Sequence, residues 1–391
     1  MKKLAAIALI LLLLGGLAAC QLQSTPPPPV LIPTVINTPL PPTATARPTS
    51  TPVRALNSPN GPPLSSIKMF TAMDGFGLIN NALLLTHNAG VNWFSVPMSE
   101  GQVTETTQAF FIDSKTIYLV VPAPDGQTGQ LYSTINGGGT WQINPVPFLN
   151  GQLMFINKIG YFLETTRTSS KTMSIAIFSS NDTGLTWNKI FPGANQEPGN
   201  SIPDDGIKTG FAFINPTRGW LGVAAQPQKV ILYKTENGGS NWAPQEIPVP
   251  QNISSLITSS LPPIFFAGNE AEGLLPVDYV SMDSGAKNRV FYFSGDGGAN
   301  WAPGDSVIDG DTYTFLDPQT GWVWGKRGLY STIDGAKTWQ LLPVAFGRSE
   351  HATSISFVDK NVGFLLTNDG KNRVRIYNTH DGGNTWIAVN P

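Results

Sequence analysis

Five arginines, Arg167, Arg289, Arg327, Arg348 and Arg373, punctuate a chain that is otherwise poor in charge. The string Lys-Asn-Arg-Val occurs twice, at Lys287 to Val290 and at Lys371 to Val374, with Lys326-Arg327 between them. A guanidinium is a planar fork that grips a carboxylate or phosphate through two parallel hydrogen bonds, whereas the ammonium groups of Lys287 and Lys371 are point charges. Gathered on one surface, these side chains would form an arc for an anionic ligand group. The same pattern fits solvated hairpin tips, which are commonly charged.

Other chemistry is thinly supplied. Asp204, Asp205, Asp305, Asp309 and Asp311 are the carboxylates available for a glycosidase pair, which needs two acids roughly 5–10 Å apart, and nothing in the sequence sets their spacing. With one Cys and three His there is no Cys-rich metal site, and a Ser-His-Asp arrangement is poorly supported. No glycine-rich phosphate loop follows a strand and opens a helix. We therefore expect no metal and no cofactor. Basic residues number 24 against 26 acidic ones, which excludes the electrostatic footprint of a nucleic-acid binder.

The elements that would position these groups come from an internal repeat. The pattern S/T-x-D/N-x-G-x-x-W recurs seven times, using seven of the ten Trp. Its Asp/Asn and Trp positions are Asn88 and Trp93, Asn136 and Trp141, Asp182 and Trp187, Asn237 and Trp242, Asp296 and Trp301, Asp334 and Trp339, and Asp381 and Trp386. Gly before the Trp is replaced once, by Ala336. Asp or Asn accepts backbone N–H bonds across a tight loop, and Gly permits positive φ. The Trp is expected to plug an apolar gap and give its indole N–H to a carbonyl. Short apolar strands flank each copy, so the box reads as a hairpin turn and its residues as structural.

A second piece lies upstream in most units: an aromatic strand ending in Asp or Asn, then Gly with an aromatic. Phe213-Ile214-Asn215 leads to Gly219-Trp220, Phe315-Leu316-Asp317 to Gly321-Trp322, and Phe357-Val358-Asp359 to Gly363-Phe364. Each unit thus supplies four strands in about 47 residues, the dimensions of a propeller blade. The fold expected is all-β: a seven-bladed β-propeller of four-stranded blades with box hairpins, over residues 64–391. First and last blades should adjoin without exchanging a strand.

The boxes resemble those of the Asp-box, or BNR-repeat, superfamily. The longer signature, with F-x-D/N, then G-W, then a box ending in T-W, is most similar to the photosystem II stability and assembly factor-like propellers. The resemblance implies that the boxes are structural and lie away from the active or binding face. The loops between second and third strands, and those between blades, would gather on the opposite face with most of the arginines. It also implies a binding or assembly role for an Arg-rich patch there, with a protein, peptide or glycan as ligand. The alternative from the same superfamily is a secreted glycoside hydrolase or lyase. Sialidase activity is disfavoured, because no F-R-I-P-like segment exists and the first two units contain no Arg.

At the N-terminus, Lys2 and Lys3 precede an apolar run from Leu4 to Ala19, shorter than the ~20 residues that span a bilayer. Leu17-Ala18-Ala19-Cys20 resembles a bacterial lipobox, so residues 1–20 read as a lipoprotein signal peptide and Cys20 as the lipid attachment site. Residues 21–63 hold 13 of the 33 Pro and read as a disordered Pro/Thr-rich linker of polyproline II character; a Pro-rich docking ligand is the alternative. The chain is expected to be an extracytoplasmic monomer held at the cell-surface membrane by its lipid, without nucleic-acid partners.

Overall fold

Each box closes its own hairpin. The Ser or Thr hydroxyl donates to the Asp/Asn Oδ1 and accepts the N–H four residues on, as in Ser294 to Asp296 (2.9 Å) and Gly298 N–H to Ser294 (2.9 Å). Oδ1 accepts the N–H of the residue preceding the Trp, here Asn300, at 2.9 Å. The other six copies repeat the three bonds. These donors have no ladder partner, so the side chains satisfy them. Ala336 sits at φ 63° where the other copies have Gly, its methyl buried among Phe291, Val307 and Val323.

The indole expectation holds at four boxes. Trp187, Trp242 and Trp386 donate to the carbonyl three residues back, and Trp141 donates to Pro97. The indole N–H groups of Trp93, Trp301 and Trp339 are buried without an acceptor among the described residues. For two of them the carbonyl is already engaged, Gly298 by the Gln245 side chain and Ala336 by the Asp305 N–H.

This computed structural model describes residues 64–80, 82–98, 103, 104, 107–192, 202–224, 226–250, 256–344, 346, 347, 349–371 and 373–389. Cys20, the apolar run at residues 4–19 and the Pro/Thr-rich stretch lie outside them. The described chain is all β: seven antiparallel sheets follow one another in chain order as seven blades. Blade 1 comprises Ser66–Met69, Gly75–Ile79, Ala82–Thr86 and Phe94–Ser95; blade 7 comprises His351–Phe357, Gly363–Asn368, Val374–Thr379 and Ile387–Ala388. Blade 5 departs from four strands. Its innermost strand is split into Leu256–Ser260 and Ile264–Phe266, which pair with opposite halves of Asn269–Ser281. Pro262 and Pro263 stand at the break, where a missing N–H cannot serve a ladder. Gln226–Pro227 of blade 4 adds a short edge.

Seven apolar clusters fill the seven spaces between neighbouring blades. The upstream motif explains part of each. The aromatic on a blade's second strand lies on the Phe of the next blade's first strand: Tyr118 on Phe155, Tyr161 on Phe213, Trp220 on Phe265 and Trp322 on Phe357. The Gly before the aromatic is needed because its own blade's Phe ring covers it. A Cβ at Gly321 would stand 2.2 Å from Phe315, and one at Gly363 would stand 2.5 Å from Phe357.

The ring closes between blades 7 and 1 without strand exchange. Ile67 N–H donates to Ser354 Oγ (3.2 Å) and Met69 N–H to Ser356 Oγ (2.9 Å). Leu64, Ile67 and Met69 pack with Phe364, Leu366 and Ile376 across the seam.

Candidate functional site

Alternation along Gly321–Gly325 sends Trp322 and Trp324 to the same side of blade 6, facing blade 7. Trp322 stacks on Phe357 with ring centroids 3.5 Å apart and planes at 4°. Trp324, one residue pair nearer the loop face, meets Phe346 from the blade 6–7 connection at 5.0 Å. Together they line an open groove of about 750 Å³. Its rim carries Lys326 and Arg327 from the tight blade 6 hairpin, Asp309 and Asp311 from the blade 5–6 connection, and His351 at the start of blade 7. Lys326 and Arg327 are exposed and form no ion pair among the described residues.

The far wall is held by Glu350. Its buried carboxylate takes the Arg375 guanidinium at 2.5 Å, the Tyr377 hydroxyl at 2.9 and 3.2 Å, and the Gly347 N–H at 3.0 Å. That network fixes the connection from which Phe346 projects. Arg375 is correspondingly held above its ordinary pKa, first by the hydrogen bond to Glu350.

Arg289 is not part of an exposed arc. It is 4% exposed. Its Nε and Nη2 hold Asp278 at 2.7 and 2.8 Å, its Nη1 donates to the Asp311 carbonyl, and it lies 5.1 Å from the Tyr313 ring. Burial opposes its charge, but the Asp278 hydrogen bonds and charge outweigh that and keep its pKa above the ordinary value. Lys287 also pairs with Asp278, at 3.2 Å, and with Asp311. These two cations are taken up by Asp278 on the neighbouring blade 5 strand and by Asp311 on the blade 5–6 connection. Arg167 donates to the Ser169 and Ser170 carbonyls of its own hairpin. Arg373 and Lys371 are exposed at the blade 7 hairpin, whose backbone is tied to Asp369. Arg348 lies outside the described residues. Among the described residues, Arg327 is the one anticipated cation that lines the groove.

Trp324, Phe346, Glu350, His351, Arg375 and Tyr377 were not singled out by the sequence reading. Trp324 carried a usable signal, being one of three Trp outside the boxes. The carboxylates are not arranged as a free pair: Glu350 is fully bonded and Asp311 is shared with Lys287 and Arg289. Among the described residues no group of His, Cys, Asp and Glu is placed to hold a metal ion.

No protein-family model matches the chain, and no curated protein matches it. Solved structures do. One, of YCF48 bound to D1 peptide, is 17% identical, with 80% of this chain and 92% of that chain covered at a TM-score of 0.51. A polysaccharide lyase of family PL25, an ulvan lyase, is 12% identical over 81% of this chain and 88% of its own, TM-score 0.41. The GH93 α-L-arabinofuranosidase of Fusarium graminearum is 12% identical over 70% and 92%, TM-score 0.41. The first likeness establishes a shared propeller fold, in keeping with the assembly factor-like pattern of the repeats. The two enzymes superpose too loosely to inform activity.

Proposed function

We propose that this chain is a lipid-anchored, extracytoplasmic binding propeller that captures an extended protein segment in the groove between blades 6 and 7. The observation that carries this reading is the pair Trp324 and Phe346 set beside the unpaired Lys326 and Arg327. Aromatic faces take an apolar side chain, and the two cations take a carboxylate or backbone carbonyls next to it. Arg373 and Lys371, exposed at the blade 7 hairpin, add cations on the same loop face. A related-fold protein, YCF48, binds a peptide, which supports a peptide over a small molecule. The lipobox at Cys20 and the Pro/Thr-rich stretch support presentation away from a membrane, outside the cytoplasm.

The enzyme reading rests on Asp309 and Asp311 lining the same groove. It lacks a second free carboxylate, because Asp311 is paired and a glycosidase needs both an acid and a base or nucleophile. The discriminating experiment selects peptides on the full chain and titrates them into wild type and Trp324→Ala, while polysaccharides are assayed with wild type and Asp309→Asn. Peptide binding weakened about tenfold or more by Trp324→Ala supports capture, the loss expected when a buried aromatic anchor is removed. Cleavage abolished by Asp309→Asn, with no peptide bound, overturns it.

A further inference from the structure

Pro59-Asn60-Gly61-Pro62-Pro63 runs directly into Leu64. Leu64 is 4% exposed and is pinned against blade 7 with Phe364 and Leu366. The first strands of blades 1 and 7 run side by side in the same direction, with Ile67 bonded to Ser354 and Met69 to Ser356. Blade 7's strand bulges between Ala352 and Ser354, which takes up one residue, so three residues back from Ile67 places Leu64 at about the level of Glu350 and His351, both of which line the groove. The first described residue, Leu64, thus lies toward the end of the aromatic groove.

We propose that the chain's own Pro59–Pro63 segment occupies this groove and must be displaced by any other ligand. The inference rests on the groove being a site for extended peptide. Its new content is the occupant. Residues 59–62 form a P-x-x-P unit, and polyproline II has three residues per turn, so Pro59 and Pro62 share one edge. Grooves lined by aromatics take that edge because the helix is already ordered and loses little entropy on docking. Five residues at ~3.1 Å each span about 15 Å, counted from Leu64 across the start of blade 7's first strand toward Trp324. Polyproline II leaves its carbonyls unbonded internally, and Lys326 and Arg327 are free to donate to them. Because the segment is covalently attached, its effective concentration is on the order of millimolar. A modest intrinsic affinity then suffices to fill the groove and to lower the apparent affinity for an outside ligand.

The experiment uses the full chain with Cys20→Ser, so that introduced cysteines are its sole thiols. Asn60→Cys is paired either with Arg327→Cys in the groove or with Lys371→Cys on the adjacent blade 7 hairpin of the same face. Cross-linking by a short bis-maleimide is followed over time. The proposal expects the Arg327 pair to react about tenfold faster than the Lys371 pair, and this preference to vanish in Trp324→Ala or with Pro59→Ala and Pro62→Ala. Equal rates for the two pairs overturn it, as does a preference that survives both sets of substitutions. Titration of a selected outside peptide separates the two readings. If cross-linking shows no preference but the peptide still binds in a Trp324-dependent way, the groove stands and the internal occupant is wrong. If the peptide also fails to bind, both fall. If the proposal is right, Pro59→Ala with Pro62→Ala tightens the outside peptide by about tenfold.

Discussion

Arg289 lies flat against Asp278 across the blade 5 hairpin, with two parallel hydrogen bonds of 2.7 and 2.8 Å and both residues buried. The pair turns a cation that the repeat would offer to a ligand into part of the scaffold. Removing one partner leaves an uncompensated buried charge, so Asp278→Asn should destabilise the propeller by about 3–5 kcal/mol. Replacing both, Asp278→Leu with Arg289→Met, should cost much less. Urea unfolding of the three proteins checks the difference, and equal losses in the single and double variants would contradict the account.

The Trp322–Phe357 stack joins blade 6 to blade 7 and is fully packed, with Phe357 5% exposed. Phe357→Ala should lower stability by about 3–5 kcal/mol through lost burial and the cavity left behind. Phe94→Ala, at a side chain 39% exposed, should change it by less than about 1 kcal/mol. Thermal melts of the two variants separate the predictions.

At the seam, Ser356→Ala strips the buried Met69 N–H of its acceptor, which should cost about 1–3 kcal/mol. The loss should be local first. Amide exchange in residues 66–69 and 75–79 should quicken before the middle blades respond, whereas uniform acceleration round the ring would argue against a seam held at this point.

Three box carboxylates contribute to the loss of stability in acid. The Thr186 hydroxyl holds Asp182 down to about 2, the Asn300 N–H does so for Asp296, and the Thr385 hydroxyl for Asp381. A pKa depressed on folding gives stability that is complete above the unfolded carboxylate value of about 4 and is lost as pH falls through about 2. These groups face solvent, so the effect per residue is screened and small. The melting temperature should fall over that window. Asp182→Asn, Asp296→Asn and Asp381→Asn together should flatten the fall, since Asn88, Asn136 and Asn237 make the same bonds with amides. An unchanged acid slope would contradict this origin.

The boxes made the fold legible because each is local: every bond it needs lies within eight residues. The split inner strand of blade 5 leaves only a faint trace in the sequence, Phe265-Phe266 before Gly273 in place of the F-x-D/N motif. The site was harder to read because register decides it. Lys-Asn-Arg-Val is the same tetrapeptide in blades 5 and 7, but blade 5's ladder runs on to Val280 opposite Lys287, which places Arg289 opposite Asp278. In blade 7 the ladder stops at Asn368 opposite Val374, leaving Arg373 at the turn. Identical residues are therefore buried in one blade and exposed in the other. Trp324 and Phe346 meet only because blades 6 and 7 do, a contact between elements no local pattern encodes.

The account stands most directly on where a captured peptide lies. Amide hydrogen exchange on the full chain, with and without a peptide selected on it, should show slowed exchange in residues 325–328 and 349–352, and no change in the seven box hairpins. Protection confined to the box hairpins, or to blades far from Trp324 and Phe346, would contradict it.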